Sequence, residues 1–315
     1  MNSAANARRM KDMGRRAAKR HAAFAAFVIL SVAAFWKPVA ALIAYALQNE
    51  SSSHVVLIPI ISLYLIYLER HRIFSTVRPA LGPGIVCIVV GVGLLWMTVT
   101  NVIPWQGNES VSASALGFVL IWLGGFLACY GMAAFRTGAF PLLFLILMVP
   151  LPDPILNRTI HALQEGSTAI AYVLFKAFHV PVLRQGFVLS VPGVTIEVAT
   201  ECSGIRSSVA LFITALLAAH FYLRTLWKIL LFVLLTLPLA IVKNGVRIVT
   251  LTLLSVYVDP SFLHGSLHRD GGFVFFGLAL LLLLPAFLLL EKSEKRREPA
   301  KSGLGARVEG EAVEG

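Results

Sequence analysis

Apolar runs recur along this chain between residues 22 and 290, separated by short polar or basic breaks. Many approach the roughly 20 residues that an α-helix needs to cross a bilayer core. Eight spans are predicted, at 22–47, 54–68, 84–100, 114–133, 138–149, 203–222, 229–250 and 272–290. One stretch departs from the pattern. Leu151-Pro152-Asp153-Pro154 is a sharp stop after the fifth span. Beyond it Ile160, Leu163, Ile170, Val173 and Leu174 recur at helical spacing with polar residues between. That predicts an amphipathic helix lying flat on the membrane surface. From Gly186 onward the residues alternate around Pro192-Gly193, a β-hairpin signal placed directly before Cys202. The expected fold is an all-α polytopic membrane protein of about eight transmembrane helices. A small extracytoplasmic helix and a β-hairpin form an insertion before the cysteine.

Composition agrees with one integral membrane domain. The 315 residues are 57% hydrophobic and 14% charged, with a mean hydropathy of +0.80, whereas soluble domains carry about 25% charged residues. A net charge of +11 raises nucleic acid as a partner, but the placement of the charge excludes it. Arg8, Arg9, Lys11, Arg15, Arg16, Lys19 and Arg20, then Arg70 and Arg72, then Lys292, Lys295, Arg296 and Arg297 each abut an apolar run. This is the positive-inside pattern, with membrane lipid as the second partner of such charge. With a cytoplasmic N-terminus, Arg136, Arg224 and Lys228 also face inward. Loops 49–53, 101–113, 151–202 and 251–271 face outward. The chain then divides into a basic cytoplasmic tail (1–21), a membrane domain (22–290, with the extracytoplasmic insertion 151–201) and a disordered cytoplasmic tail (291–315). The first apolar run continues past the length of a signal-peptide core and lacks a small-x-small cleavage site, so an uncleaved helix is expected.

Three segments carry chemistry. Cys87 and Cys129 fall inside apolar spans, where cysteine behaves as a small hydrophobe. Cys202 instead sits among polar residues, Thr200-Glu201-Cys202-Ser203-Gly204-Ile205-Arg206-Ser207-Ser208, between a predicted strand and a predicted helix. A thiol at a helix N-terminus meets the positive end of the macrodipole, which favours the nucleophilic thiolate. Arg206 adds positive charge about one turn on. An N-capping cluster with an incidental cysteine is the alternative at this point. The second segment, Lys243-Asn244-Gly245-Val246-Arg247, lies in the seventh span. Arg247 is 19 residues beyond Lys228, or about 28 Å at the helical rise, which brings it to the outer edge of the bilayer. An ionisable group there is a functional candidate, with a snorkelling arginine as the alternative. Asn244-Gly245 is expected to open or bend the helix. The third segment, from His264 to Gly272, enters the last span and places His268 at a helix start with His264 one turn away. Cysteine, arginine and histidine on one membrane face form a minimal set for acyl transfer.

Taken in order, these features resemble the exosortase/archaeosortase family of membrane-embedded sorting enzymes, over roughly residues 52–290. The likeness rests on the Ser53-His54 entry running to Pro59, the Pro150-Leu-Pro-Asp-Pro stop and the hairpin from Gly186 to Gly193. It also rests on Glu201-Cys202-Ser203-Gly204-Ile205-Arg206-Ser207, Asn-x-x-Arg (Asn244, Arg247) and His-x-x-x-Gly (His268, Gly272). The resemblance implies a cysteine transpeptidase in which Cys202 is the catalytic nucleophile, with Arg247 and His268 completing the site. Glu201, Ser203, Gly204, Arg206 and Asn244 would support the substrate, and His264 has no counterpart. It further implies exported proteins with a C-terminal sorting signal as partners. That signal is a short motif (Pro-Glu-Pro-like in many bacteria), a transmembrane helix and a basic tail. Its cleavage would occur at the outer face of the inner membrane. No cofactor and no metal is implied. The acceptor, the recognition motif and the oligomeric state are not encoded in any legible feature.

Two rivals come from other classes. A multi-pass transporter also buries ionisable groups, but such proteins bind substrate near the midplane, and these candidates gather at one face. A non-catalytic scaffold for envelope or exopolysaccharide assembly would tolerate replacement of Cys202, Arg247 and His268. The chain contains neither the His-Glu-x-x-His of zinc proteases nor a Gly-x-Ser-x-Gly elbow.

Overall fold

The computed structural model describes residues 2–263 and 272–295; among these, side chains 2–13, 50, 201, 202, 263 and 272 lie outside the description. The chain forms two compact units, 1–156 and 157–315.

The first unit comprises α1 (Asn2–Ala34), α2 (Trp36–Gln48), α3 (Leu57–Leu68), α4 (Arg70–Ile73), α5 (Leu81–Thr100), α6 (Glu109–Thr137) and α7 (Ala139–Phe144), with a 3-10 segment at Leu145–Met148. The basic segment expected as an N-terminal tail continues α1 as helix from Asn2. The expected first span is divided at Phe35. Pro38 is the third residue of α2, a position whose N–H needs no intrahelical partner, but its ring would clash with the carbonyl four residues back in an unbroken helix. Helices α5 and α6 meet backbone to backbone. A Cβ at Gly91 would lie 2.6 Å from the Gly117 carbonyl oxygen, and one at Gly124 equally close to that of Gly84. In lipid, where tails solvate apolar surface as well as a neighbour does, such small-residue contacts drive helix association.

Helix α6 is interrupted at Gly131 (φ 87°, ψ 177°). The carbonyls released there are taken by the segment before α5, with Arg78 N–H donating to Tyr130 O at 3.2 Å and Ala80 N–H to Leu127 O at 3.1 Å. A polar latch closes the other end. Asn108, 4% exposed, accepts from Asp153 N–H at 2.8 Å. It donates through Nδ2 to Leu151 O and the Tyr45 hydroxyl, both at 2.8 Å, while its own N–H donates to Asp153 Oδ2 at 3.0 Å.

The second unit contains most of α8 (Asp153–Ala177), then strands β1 (Leu183–Gln185), β2 (Val188–Val191) and β3 (Val194–Glu197). Helices α9 (Ile205–Tyr222), α10 (Leu226–Leu234), α11 (Thr236–Tyr257) and α12 (Gly272–Lys295) follow. The expected hairpin is present as β2–β3, pairing Val191 with Val194 around Pro192-Gly193. Gly193, at φ +90°, occupies the turn position that favours glycine after proline. A third strand, β1, joins antiparallel to β2. Leu189, Val191 and Val198 pack with Ala171 and Phe175 of α8 and Ile248 and Val249 of α11 into one core cluster. A second cluster joins Leu211 and Ala215 of α9, Phe232 of α10 and Ala279 and Leu283 of α12. Beside it the buried Lys228 pairs with half-buried Glu294, Lys228 Nζ lying 2.7 Å from Glu294 Oε2 and the Thr225 hydroxyl donating to Glu294 Oε1 at 2.6 Å.

Six described helices are long and apolar enough to cross a membrane: Gly14–Ala34, Leu81–Thr100, Glu109–Thr137, Ile205–Tyr222, Leu226–Tyr257 and Phe273–Lys295. The pair Ala139–Met148 and Asp153–Ala177 makes a seventh if it counts as one broken span. The fold is therefore an all-α polytopic membrane protein with a small sheet, and six or seven of the roughly eight expected spans are supported. Leu57–Leu68 is the shortfall, since its 12 residues rise only about 18 Å.

Two local expectations are corrected. The segment after the Pro-rich stop was expected to present its polar positions to water, yet Gln164, Ser167 and Thr168 of α8 are buried at 7%, 0% and 0%. They face protein because α8 lies directly against α11: a Cβ at Gly166 would come 2.8 Å from Ile241 Cγ2. Nor does Asn244-Gly245 open its helix, since α11 runs unbroken through it. Gly245 serves close approach, because a Cβ there would sit 2.5 Å from Ile170 Cγ2.

Candidate active site

Strand β3 delivers the chain to the Cys202 segment. Val198 is fixed on both sides, its N–H donating to Phe187 O at 3.0 Å and its carbonyl accepting from Gln164 Nε2 at 2.8 Å. A single 3-10 turn, Thr200–Ser203, follows and contains Cys202. Gly204 then adopts φ +73°, ψ 17° as the N-cap of α9. This left-handed break keeps Cys202 two residues ahead of the cap rather than inside the first helical turn. The thiol's backbone still stands at the positive end of α9.

Gly204 is gripped from α11 at two points. A Cβ at this position would lie 2.9 Å from Asn244 Oδ1 and 3.0 Å from Asn244 Cγ, so the carboxamide rests against the glycine itself. Asn244 is 1% exposed and donates through Nδ2 to Ser167 Oγ of α8 at 3.0 Å. The neighbouring Lys243, 2% exposed, donates from Nζ to Ser207 Oγ. Ser207 in turn donates to the Gly204 carbonyl at 3.0 Å, which also accepts from Ser208 N–H at 2.9 Å and Ser208 Oγ at 2.8 Å. Ser207 Oγ thus bridges Lys243 Nζ to the Gly204 carbonyl and ties α11 to the first turn of α9.

The sequence candidates fall as follows. Ser203 and Gly204 are buried in the turn, Asn244 is buried on α11, Arg206 is exposed on the first turn of α9, and Arg247 is half-buried one turn beyond Lys243 and Asn244. Residues three and four apart share a helix face, so the side of α11 that grips Gly204 also carries Arg247. Cys202 and Glu201 are placed by backbone alone. Their side chains, and His264 and His268 altogether, lie outside the described residues. Three contributors went unassigned in the sequence reading. Lys243 was visible as an ionisable residue within a span, four before Arg247, which was a sufficient signal. Ser207 and Ser167 gave none, because a serine beside polar neighbours announces no partner. Among the described residues no group of three or more His, Cys, Asp or Glu is arranged to hold a metal. The turn that contains Cys202 is backed by the Asn244 carboxamide and tied to Lys243 through Ser207, with Arg247 on the same face of α11, a set of donors suited to charge that develops on an oxygen.

In comparison with curated proteins and with solved structures, no match is found. The family model described as Transmembrane exosortase (Exosortase_EpsH) matches residues 45–285. That match takes in the latch, the sheet, the Cys202 turn and all of α11, and the chain belongs to the transmembrane exosortase family.

Proposed function

We propose that this protein is a cysteine transpeptidase that cleaves C-terminal sorting signals of exported proteins at the outer face of the inner membrane. Its signals would be of the kind with a short motif (Pro-Glu-Pro-like), a transmembrane helix and a basic tail. In this reading the Cys202 thiolate attacks the carbonyl carbon of the scissile peptide. A thioester forms, the peptide C–N bond breaks, and His268 carries the thiol proton to the departing amine. Arg247 stabilises the oxyanion of the tetrahedral intermediate, with Asn244 and Arg206 positioning the carbonyl and Glu201, Ser203 and Gly204 shaping the turn. An acceptor amine or water then attacks the thioester and restores the thiol.

The observation that carries the reading is the grip of Lys243 and Asn244 on Gly204. It ties the turn bearing Cys202 to the helix bearing Arg247. An outer-face site is supported by α9, whose 18 residues separate the Cys202 turn by about 27 Å from Arg224 and Lys228, residues of the inward-facing type.

A purified protein with a full-length exported substrate provides the test, using hydroxylamine as acceptor. Attack on a thioester yields a C-terminal hydroxamate on the released product, readable by mass spectrometry. Hydroxamate that requires Cys202 and falls steeply on Arg247→Ala and His268→Ala supports the assignment. Its formation by Cys202→Ala protein overturns it.

A further inference from the structure

A second feature lies in the first unit and does not depend on chemistry at Cys202. Helices α1, α3, α4 and α6 line an open cavity of about 540 Å3, with Leu63 on its wall 67% exposed. Its wall is apolar, formed by Phe24, Leu63 and Phe126 among others, with His21, Arg70 and His71 also lining it; among the described residues none that lines it is acidic. Aromatic rings pack along the wall, with Phe126 and Tyr130 centroids 4.8 Å apart and Phe24 set edge-on to Phe126 at 5.9 Å. His21 and Arg70 are held in place. His21 Nδ1 and the Tyr130 hydroxyl are hydrogen-bonded at 2.8 Å. Arg70 donates from Nη1 to Tyr67 O at 2.8 Å and stacks its guanidinium 4.2 Å above the Tyr67 ring. A guanidinium offers five donors, so most of Arg70's capacity is left for an anion.

We infer that this cavity binds one acidic phospholipid of the adjoining leaflet. Its phosphate would sit against Arg70 and His71, with an acyl chain running down the wall of Phe24, Leu63 and Phe126. Charge complementarity selects the occupant. Arg15, Arg16, Lys19 and Arg20 directly precede the lining residue His21 in α1, and Arg72 follows Arg70 and His71 in α4; basic pockets between membrane helices take anionic headgroups. A neutral apolar ligand would leave the cationic groups unmatched. A soluble anion would leave the aromatic wall empty.

Native mass spectrometry of the full chain in detergent, titrated with phosphatidylglycerol or phosphatidylcholine, tests this. Wild type is expected to retain phosphatidylglycerol about tenfold better, the range of one charge-assisted contact. Arg70→Gln/His71→Gln should abolish the preference while leaving phosphatidylcholine binding unchanged. Ala25→Trp, which fills the cavity without altering charge, should lower retention of both lipids. Arg136→Gln, an exposed basic residue outside the cavity, should match wild type. Equal retention of the two lipids by wild type overturns the inference. So does a preference that survives both cavity variants, or one that Arg136→Gln reduces as much as Arg70→Gln/His71→Gln.

Discussion

Replacing Gly204 by alanine perturbs the turn at its most constrained point, and the magnitude can be worked from three terms. Alanine at φ +73° carries a strain of about 1–2 kcal/mol. The new methyl lands 2.9 Å from Asn244 Oδ1, closer than a Cβ tolerates, so the carboxamide must move. Its bond to Ser167 Oγ is then stretched or lost. Hydrogen bonds between helices in membranes average about 0.6 kcal/mol and reach about 1.7, so backbone strain outweighs the lost bond. The total is about 2–4 kcal/mol. Thermal unfolding of the full chain in detergent measures this, and the double variant with Asn244→Gly isolates the clash. Asn244→Gly clears the space, so Gly204→Ala should cost about 1 kcal/mol less in that background than in wild type. Strictly additive costs, or a Gly204→Ala protein as stable as wild type, would refute the reasoning.

Other positions yield further outcomes. Ser207→Ala leaves the buried Lys243 amine without its hydroxyl partner and should destabilise by about 1–3 kcal/mol; Lys243→Met combined with Ser207→Ala removes both groups and should recover part of that loss in the same unfolding assay. Asn108→Ala deletes three side-chain hydrogen bonds of the latch and should lower stability by about 2–3 kcal/mol, read as a reduced melting temperature in detergent. His54 lies ahead of α3, and burial pulls its pKa below the ordinary 6.5, partly offset by hydrogen bonds to the backbone of Leu147 and Ser51. The folded state therefore prefers neutral imidazole. Its contribution is complete above about pH 6.5 and is lost as pH falls through that value toward the folded pKa. A His54→Gln protein should show a flatter stability profile over that interval.

Much of the fold was legible because its signals are local. Pro192-Gly193 between alternating residues marked the β2–β3 hairpin, and long apolar runs marked most spans. The misses share one cause: periodicity reports that two faces of a helix differ, not what covers each face. Polar positions of an amphipathic helix usually meet water, yet here Gln164 meets the segment before Cys202 and Ser167 the carboxamide of Asn244, while Thr168 bonds back to the Gln164 carbonyl. Gly245 read as a helix breaker, its local tendency, whereas Ile170 of α8 uses the missing side chain to pack closely. Strand β1 is only three residues long, too short for alternation to register. For the proposed site, Cys202, Arg247 and His268 stand out in the sequence through residue type and spacing. The Lys243–Ser207 contact depends on how α9 and α11 meet, which no window of sequence contains.

The account rests most directly on the thiol of Cys202. Serine keeps the shape of the side chain but is a far weaker nucleophile without an activating base. The decisive measurement is processing of an exported protein bearing the C-terminal signal in cells with wild type or Cys202→Ser. The account predicts a shortened product with wild type and full-length substrate with Cys202→Ser at equal protein level. Equal processing in both would contradict it and bring the transporter or scaffold reading forward.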